Sequence, residues 1–309
     1  MQTISIVTPC YNEESNVDEL YERITAVIDT CPDYAFEIIF IDNASTDNTV
    51  NLVKSLIKKD QRIRLIVNAR NFGHIRSPYY GLMQATGDAV VLMASDLQDP
   101  PELLPEFIKQ WAAGFKIVAG VKTTSEESRL FFMIRKAYYK MVNRISNIKL
   151  ITNFTGFGLY DKSVIEIMKG LNDPYPYLRG LVSELGFDVA EVEFNQPQRA
   201  RGITKNNFYT LYDIAMLGIT SHSKVPLRMA VFAGFCLSAL SLMMAFLYLI
   251  FKLLFWNSFA FGTAPLLMGL FFFASVQLFF LGLLGEYVGN LQTQILSRPL
   301  VVETERVNF

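Results

Sequence analysis

The sequence predicts an α/β fold, a parallel sheet covered by helices on both faces, followed by an apolar two-helix hairpin. Three observations carry this. Short apolar runs alternate with amphipathic helical patterns from residue 4 to residue 121. Acidic clusters follow the ends of several of those runs, where open α/β sheets bind ligands. Two segments near the C-terminus, Met229–Phe251 and Phe259–Gly285, carry no charge over 23 and 27 residues, and a bilayer span needs roughly 20 apolar residues.

Ile4–Thr8 is a short apolar strand. The next segment places Val17, Leu20, Tyr21, Ile24, Val27 and Ile28 on one helical face, and Ser15 with Asp18 makes a loose capping box before it. Glu37–Ile41 reads as a second strand and Asp47–Lys59 as a helix with Val50, Val53, Leu56 and Ile57 inward. Ile63–Val67 is a third strand, Ser77–Ala85 a helix and Ala89–Met93 a fourth strand. Glu102–Ala113 is helical, and Lys116–Val121 returns as a strand. Such alternation predicts parallel pairing.

Composition divides the chain. Charged residues are 18%, below the ~25% of soluble domains, and the deficit lies in the C-terminal third. A net charge of -1 gives no global attraction to nucleic acid. Cys10, Cys31 and Cys236 have no metal-ligand spacing and fit a reducing compartment. The first residues lack a basic region followed by an apolar core, so no secretory signal is expected. The link Lys252–Ser258 is short, so the two apolar runs form a hairpin. Lys224 and Arg228 precede it and Arg298 follows it, against Lys252 alone at the turn, which orients the N-terminal domain to the cytoplasm. Trp256 takes an interface position. Ala230, Gly234 and Ser238 form a small-residue stripe that would let helices approach, in a homo-oligomer or otherwise, or would simply face lipid.

Two basic stretches adjoin this hairpin. In Ser128–Lys149, Ile134, Tyr138, Met141, Ile145 and Ile148 form an apolar stripe, with Arg129, Lys136, Lys140 and Arg144 largely elsewhere. It fits a headgroup-bound amphipathic helix or a solvated helix on the domain, and the neighbouring hairpin favours the former. In the second, Arg199, Arg201, Lys205, Lys224 and Arg228 oppose only Asp213. It reads either as a juxtamembrane polybasic segment or as a clamp for a lipid phosphate. The expected organisation is therefore a nucleotide-binding core at 1–125, an acceptor side with basic juxtamembrane helices at 126–228, two transmembrane helices at 229–288 and a cytoplasmic tail at 289–309.

Four motifs stand in order: Thr8-Pro9-Cys10-Tyr11-Asn12-Glu13-Glu14, Asp42-Asn43-Ala44-Ser45-Thr46-Asp47, Asp96-Leu97-Gln98-Asp99-Pro100-Pro101-Glu102, and Arg199–Lys205 before the hairpin. Together they resemble the family 2 glycosyltransferases of the polyprenyl-phosphate type, similar to dolichol-phosphate mannose synthase and bactoprenol glucosyltransferases. The resemblance covers nearly the whole chain. It implies a GT-A (Rossmann-like) fold, a nucleotide-sugar donor, a divalent metal such as Mg²⁺ or Mn²⁺, and inverting transfer to a polyprenyl phosphate at a membrane. By the same resemblance Pro9, Tyr11, Glu13, Asp42 and Asp96 would bind the donor, Asp96 and Gln98 the metal and diphosphate, and Arg201 and Lys205 the acceptor phosphate. Asp96, Arg201 and Lys205 would be catalytic; Arg179, in Tyr177-Leu178-Arg179-Gly180, and Arg199 would join the acceptor site.

The chain departs from the family at three places. The Asp-Asp-Gly-Ser pattern reads Asp42-Asn43-Ala44-Ser45. The usual Asp-x-Asp reads Ala94-Ser95-Asp96. Where many relatives have Gly-Asp-Phe-Arg-Leu, this chain has Gly156-Phe157-Gly158-Leu159 after Thr155, and both acid and arginine are gone. The missing acid, a proposed base in relatives, weighs mildly for a phosphate acceptor: a phosphomonoester, with a second pKa of about 6, is already ionised at neutral pH. A hydroxyl acceptor on a lipid-linked saccharide or glycolipid, and a non-catalytic nucleotide-sugar or lipid scaffold, are the rival readings. His74 and His222, the only histidines, read as structural or surface residues, although His74 follows Gly73 in a loop that could face the donor.

Overall fold

The computed structural model describes residues 1–124, 150–197, 208–255 and 263–309. The amphipathic segment at 128–149, the cations Arg199, Arg201 and Lys205, and Trp256 lie outside the described residues.

An eight-stranded mixed sheet organises the N-terminal domain, in the order β7-β5-β6-β4-β1-β2-β3-β8. Strands β1 (Gln2–Cys10), β2 (Tyr34–Asp42), β3 (Ile63–Asn68) and β4 (Ala89–Leu92) pair in parallel, as the alternation predicts. The all-parallel expectation fails at β6 (Phe154–Asp161), which runs antiparallel between β4 and β5 (Ile117–Thr124), while β7 (Val189–Asn195) pairs parallel with β5. Strands β6 and β7 complete the same sheet, so strands from both sides of residue 125 build one layer. Gly158 makes the β5–β6 approach feasible: a Cβ there would lie 2.3 Å from the Val118 carbonyl oxygen. An arginine does not fit this register.

Each strand of the parallel core is apolar on both faces. Ile4, Ile6, Ile38, Phe40 and Val91 pack on one side with helices α1 (Val17–Ile28), α2 (Thr49–Lys59) and α4 (Leu104–Ala112). Val7, Ile39, Ile41, Val90 and Leu92 pack on the other with α3 (Gly73–Gln84), α5 (Lys162–Leu171) and α6 (Leu178–Glu184). Alternate residues of one strand thus enter opposite layers. Asn16, not Ser15, stands at the N-terminus of α1. Helix α3 begins a turn before its expected start, so Pro78 lies inside it and offers no N–H to the His74 carbonyl four residues back.

Asp161 locks the end of β6 to α5. It accepts from the Ser163 N–H at 3.0 Å as helix cap, from Trp111 Nε1 at 2.8 Å and from Lys116 Nζ at 3.1 Å. Burial alone would raise its carboxyl, but the Ser163, Trp111 and Lys116 bonds outweigh it and hold the pKa at about 2. Since the folded value lies below the unfolded one, this stabilisation is complete above pH ~4 and is lost as pH falls towards ~2. Asp161→Asn is expected to destabilise by about 2 kcal/mol at pH 7, with the difference from wild type shrinking below pH 4 in thermal melts.

Beyond the sheet, α7 (Phe208–His222) leads into α8 (Val225–Leu254) and α9 (Thr263–Leu296). Both α8 and α9 are long and apolar enough to cross a membrane and expose their apolar faces, including Phe232, Phe235, Phe271 and Phe279. Within the small-residue stripe, Gly234 and Ser238 lie exposed. The ends of the pair adjoin: the Tyr287 hydroxyl donates to the Ser223 carbonyl at 2.8 Å, and Tyr212 to Glu286 at 2.9 Å. The segment 289–309 does not hang free in the fold. Helix α9 runs to Leu296, Gln294 donates to Asp173 at 2.9 Å, and β8 (Glu303–Val307) adds antiparallel to β3. Its alternate charges conceal the strand in sequence, yet they anchor it: Lys54 pairs with Glu305 at 2.6 Å, and Glu303 takes bonds from Tyr80 at 2.8 Å and Arg306 at 2.6 Å. Charged side chains on an edge strand also block further pairing.

Candidate active site

The loops after β1, β2, β3 and β4 meet at the carboxyl edge of the parallel core, the expected ligand position. They enclose a cleft of two chambers. The first, of about 290 Å³, is lined by Pro9, Tyr11, Glu13, Asn43, His74 and Asp96 among others. The second, of about 280 Å³, extends to Asp99, Thr155, Gly156, Tyr177 and Arg179.

Backbone and side-chain bonds stitch the first two motifs together. Asn12 N–H donates to Ser45 Oγ at 2.9 Å, and Thr46 N–H donates back to Asn12 Oδ1 at 2.8 Å. Glu13 N–H donates to Thr49 Oγ1 at 2.9 Å, and Asn48 N–H to Glu14 Oε2 at 2.9 Å. Asn16 holds the Glu13 carboxylate at 2.5 Å. Much of the polarity of these motifs therefore builds the floor of the chamber.

The expected site residues separate accordingly. Pro9, Tyr11, Glu13 and Asp96 line the first chamber and Arg179 the second. Asp42 does not line either: it is fully buried and accepts the Ser45 N–H at 2.9 Å, and burial raises its carboxyl. It caps the turn whose Ala44 adopts a left-handed φ of 63°, a conformation suited to glycine. Gln98 is also set apart, since its side chain lies outside both chambers with Nε2 3.5 Å from the Pro197 carbonyl.

Asn43 replaces the acid expected after Asp42, and the structure gives the reason. Its Nδ2 donates to Asn71 Oδ1 at 2.9 Å and to the Gly73 carbonyl at 3.2 Å. Its Oδ1 accepts from Asn68 Nδ2 at 3.1 Å and from the Phe72 N–H at 2.8 Å. Asn68 also donates to Ser77 Oγ at 3.0 Å. This amide cluster fixes the loop at 69–73 and the start of α3. Sequence reasoning missed it because three separate asparagines carry no spacing signal.

Asp99, the second carboxylate of the acidic cluster after the fourth strand that suits a hard cation in sequence, lines the second chamber and not the first, where Asp96 lies. Its carboxylate accepts the Ala94 N–H at 2.9 Å and lies only 7% exposed against the second chamber. Burial pushes its pKa up to about 6, against the Ala94 bond and the Lys122 charge that lower it, while Asp96 raises it. A carboxyl raised in the folded state destabilises the fold as pH climbs from ~4 through ~6. Asp99→Asn, which keeps an acceptor for Ala94, is expected to stabilise on the order of 2 kcal/mol at pH 8 and to lose that advantage by pH 4. Thermal melts at the two pH values check the sign.

A divalent cation fits this site only in part. Among the described residues no group of three or more His, Cys, Asp or Glu side chains could hold a metal ion. Ala94 contributes no ligand and Gln98 is turned away, so Asp96 is the acid of the Asp96–Glu102 motif that faces the first chamber. One carboxylate with substrate phosphates and water is nevertheless a common Mg²⁺ environment. The donor set suits a cation that arrives with a diphosphate.

Residues 5–168 match the family model described as glycosyl transferase family 2. The chain is 34% identical over 300 residues to the uncharacterized glycosyltransferase YkcC of Bacillus subtilis (strain 168), covering 96% of this chain and 92% of that one. It is 33% identical over 297 residues to the SfII prophage-derived bactoprenol glucosyl transferase of Shigella flexneri, covering 96% of each. A solved structure described as that of a mycobacterial protein aligns with a TM-score of 0.51 at 19% identity, over 71% of this chain and 73% of that one, a likeness of fold.

Proposed function

The chain belongs to glycosyl transferase family 2 and is a glycosyltransferase with a GT-A-like fold, and from that premise we propose that it transfers a sugar from a nucleotide-sugar, a UDP-sugar by preference, to a polyprenyl phosphate at the cytoplasmic face of a membrane. The observation that carries this reading is the reach of the 33% identity to a bactoprenol glucosyl transferase, which includes the apolar helices as well as the sheet. The paired chambers support it, since a transferase must hold two substrates against each other.

In this reading Tyr11, Glu13 and Pro9 hold the nucleoside, and Asp96 faces the diphosphate. A divalent cation bound there with the donor would neutralise leaving-group charge, with Asp96 as its protein ligand. Arg179 in the second chamber, with Arg199, Arg201 and Lys205, offsets the acceptor phosphate charge and aims it. A phosphate oxygen attacks the anomeric carbon in line. The bond from that carbon to the diphosphate oxygen breaks, its electron pair leaves with the nucleoside diphosphate, and the configuration inverts. No base is required, because the attacking phosphate is already ionised; positioning and charge stabilisation carry the rate. Gly156, with a φ of 104°, is compatible with a site that needs no acid there. Helices α8 and α9 anchor the domain as a multi-pass inner-membrane protein.

The test incubates purified full-length protein with labelled nucleotide sugars, Mg²⁺ or Mn²⁺, and undecaprenyl phosphate. A mild-acid-labile glycolipid is the expected product. A base-stable glycolipid would move the acceptor to a hydroxyl, and no turnover with any donor would leave a binding scaffold. Arg201→Ala with Lys205→Ala is expected to raise the KM for the lipid at least tenfold, with little change in UDP affinity by calorimetry. Equal loss of both would move these cations to the donor.

A further inference from the structure

Four residues line both chambers: Pro9, His74, Pro78 and Ala94. The side chains of Pro9, Pro78 and Ala94 have no hydrogen-bonding group. His74 is therefore the one polar side chain, among the described residues, on the wall that the chambers share. Its imidazole is exposed to the cleft and takes no hydrogen bond from any described residue. Its backbone, by contrast, is held firmly. Gly73 before it has a φ of 85°, Asn43 binds the Gly73 carbonyl, and Asn71 Oδ1 accepts the Gly73 N–H at 2.8 Å. An unbonded ring on a fixed backbone at the meeting point of two substrate chambers is poised to contact ligand rather than protein.

We propose that His74 is a substrate-contacting residue of the transfer reaction, donating a hydrogen bond to a phosphate oxygen where donor and acceptor meet. The proposal rests on the reading of this cleft as a two-substrate transferase site. Surrounding protein and the nearby Arg179 charge lower the imidazole pKa, so near pH 7 the ring is neutral, with one N–H to give and no added cation to trap product. The phosphate belongs either to the donor diphosphate or to the acceptor, and both offer the same oxygen chemistry. With Ala94 removing an acid from the same wall, an uncharged donor there also lets two anionic groups approach without a carboxylate between them.

The experiment compares wild type, His74→Ala and His74→Gln as full-length protein in detergent, with equal melting temperatures as the folding control. His74→Ala is expected to lower turnover by about 10²-fold, and His74→Gln, which returns an N–H at similar reach, to recover at least tenfold of that loss. Calorimetry with UDP and Mg²⁺, and the KM for undecaprenyl phosphate, identify the source. Weaker UDP binding assigns the donor phosphate, a raised lipid KM assigns the acceptor, and a fall in kcat alone assigns the transition state. Turnover and both affinities within twofold of wild type would overturn the proposal, as would a glutamine variant no better than alanine. If wild type fails to use the lipid, the transfer reading is at fault, while UDP binding and donor hydrolysis still report on His74.

Discussion

Asp96→Ala is expected to lower turnover by roughly 10²- to 10⁴-fold while leaving the fold intact. Asp96 lies in the loop just past the end of β4 and lines the first chamber. In the proposed reading Asp96 faces the donor diphosphate, and since Ala94 stands where the related pattern has a second acid, the remaining charge would carry a larger share. The Asp96 carboxylate accepts the Gln98 N–H at 3.2 Å, and such a bond contributes about 1 kcal/mol. Asp96→Asn keeps an acceptor for that N–H but not the charge, so near-equal impairment of the two variants would identify the loss as electrostatic. Steady-state rates with saturating Mg²⁺, alongside melting temperatures, make the check. Turnover within tenfold of wild type in either variant would show that the chemistry does not depend on Asp96.

The second large effect is expected from Asn43→Asp, the change that restores the residue type found in the related pattern. The Asn43 amide uses both its donor and its acceptor sides. An aspartate keeps the bonds from Asn68 and Phe72 but loses those to Asn71 and Gly73, and it sets a carboxylate oxygen against the Gly73 carbonyl. The Asn71 amide can turn to donate; the carbonyl cannot. At 7% exposure the residue is too buried for water to compensate fully. A cost of about 2–4 kcal/mol follows, seen as a lower melting temperature and a UDP affinity reduced at least tenfold, because the loop at 69–73 forms one wall of the first chamber. If melting temperature and UDP binding are unchanged, the amide cluster does not hold that wall.

The parallel core was legible in sequence because its strands are apolar on both faces and its helices carry one clear stripe, as Val17, Leu20 and Ile24 do. Strand β6 was harder, since its glycines were compared with a motif rather than read as a close approach of backbones. Strand β8 was hidden by Glu303, Glu305 and Arg306, whose charges suit a solvent-facing edge. At the site, Pro9, Tyr11, Glu13, Asp96 and Arg179 line the cleft, and the roles in substrate binding given to them above are a proposal. Asp42 and Gln98 differ because motif spacing fixes where a residue lies along the chain and not which way its side chain turns. Asn43 depends on contacts with Asn68, Asn71 and Phe72 at and beyond the end of β3, which no local pattern encodes, whereas Asp99 and His74 lie in segments that the sequence already offered to the ligand.

The return of β8 to the sheet has a mechanical consequence. A domain hung from a bilayer by one linker can swing through a wide cone; a domain fastened at two points can only rock about the line between them. Here the hairpin is fastened through α7 at its entrance and through β8 at its exit. Helix α9, 34 residues long, spans about 51 Å at 1.5 Å per residue, against about 30 Å of hydrocarbon. The surplus, which includes Glu286–Leu296, acts as a strut of about 16 Å. In the proposed membrane arrangement strut and strap together set the height of the cleft above the lipid, so reach, as much as affinity, would decide which phosphates can enter it. Shortening the strut by one turn would lower and rotate the whole platform, altering access without touching a single residue that binds substrate.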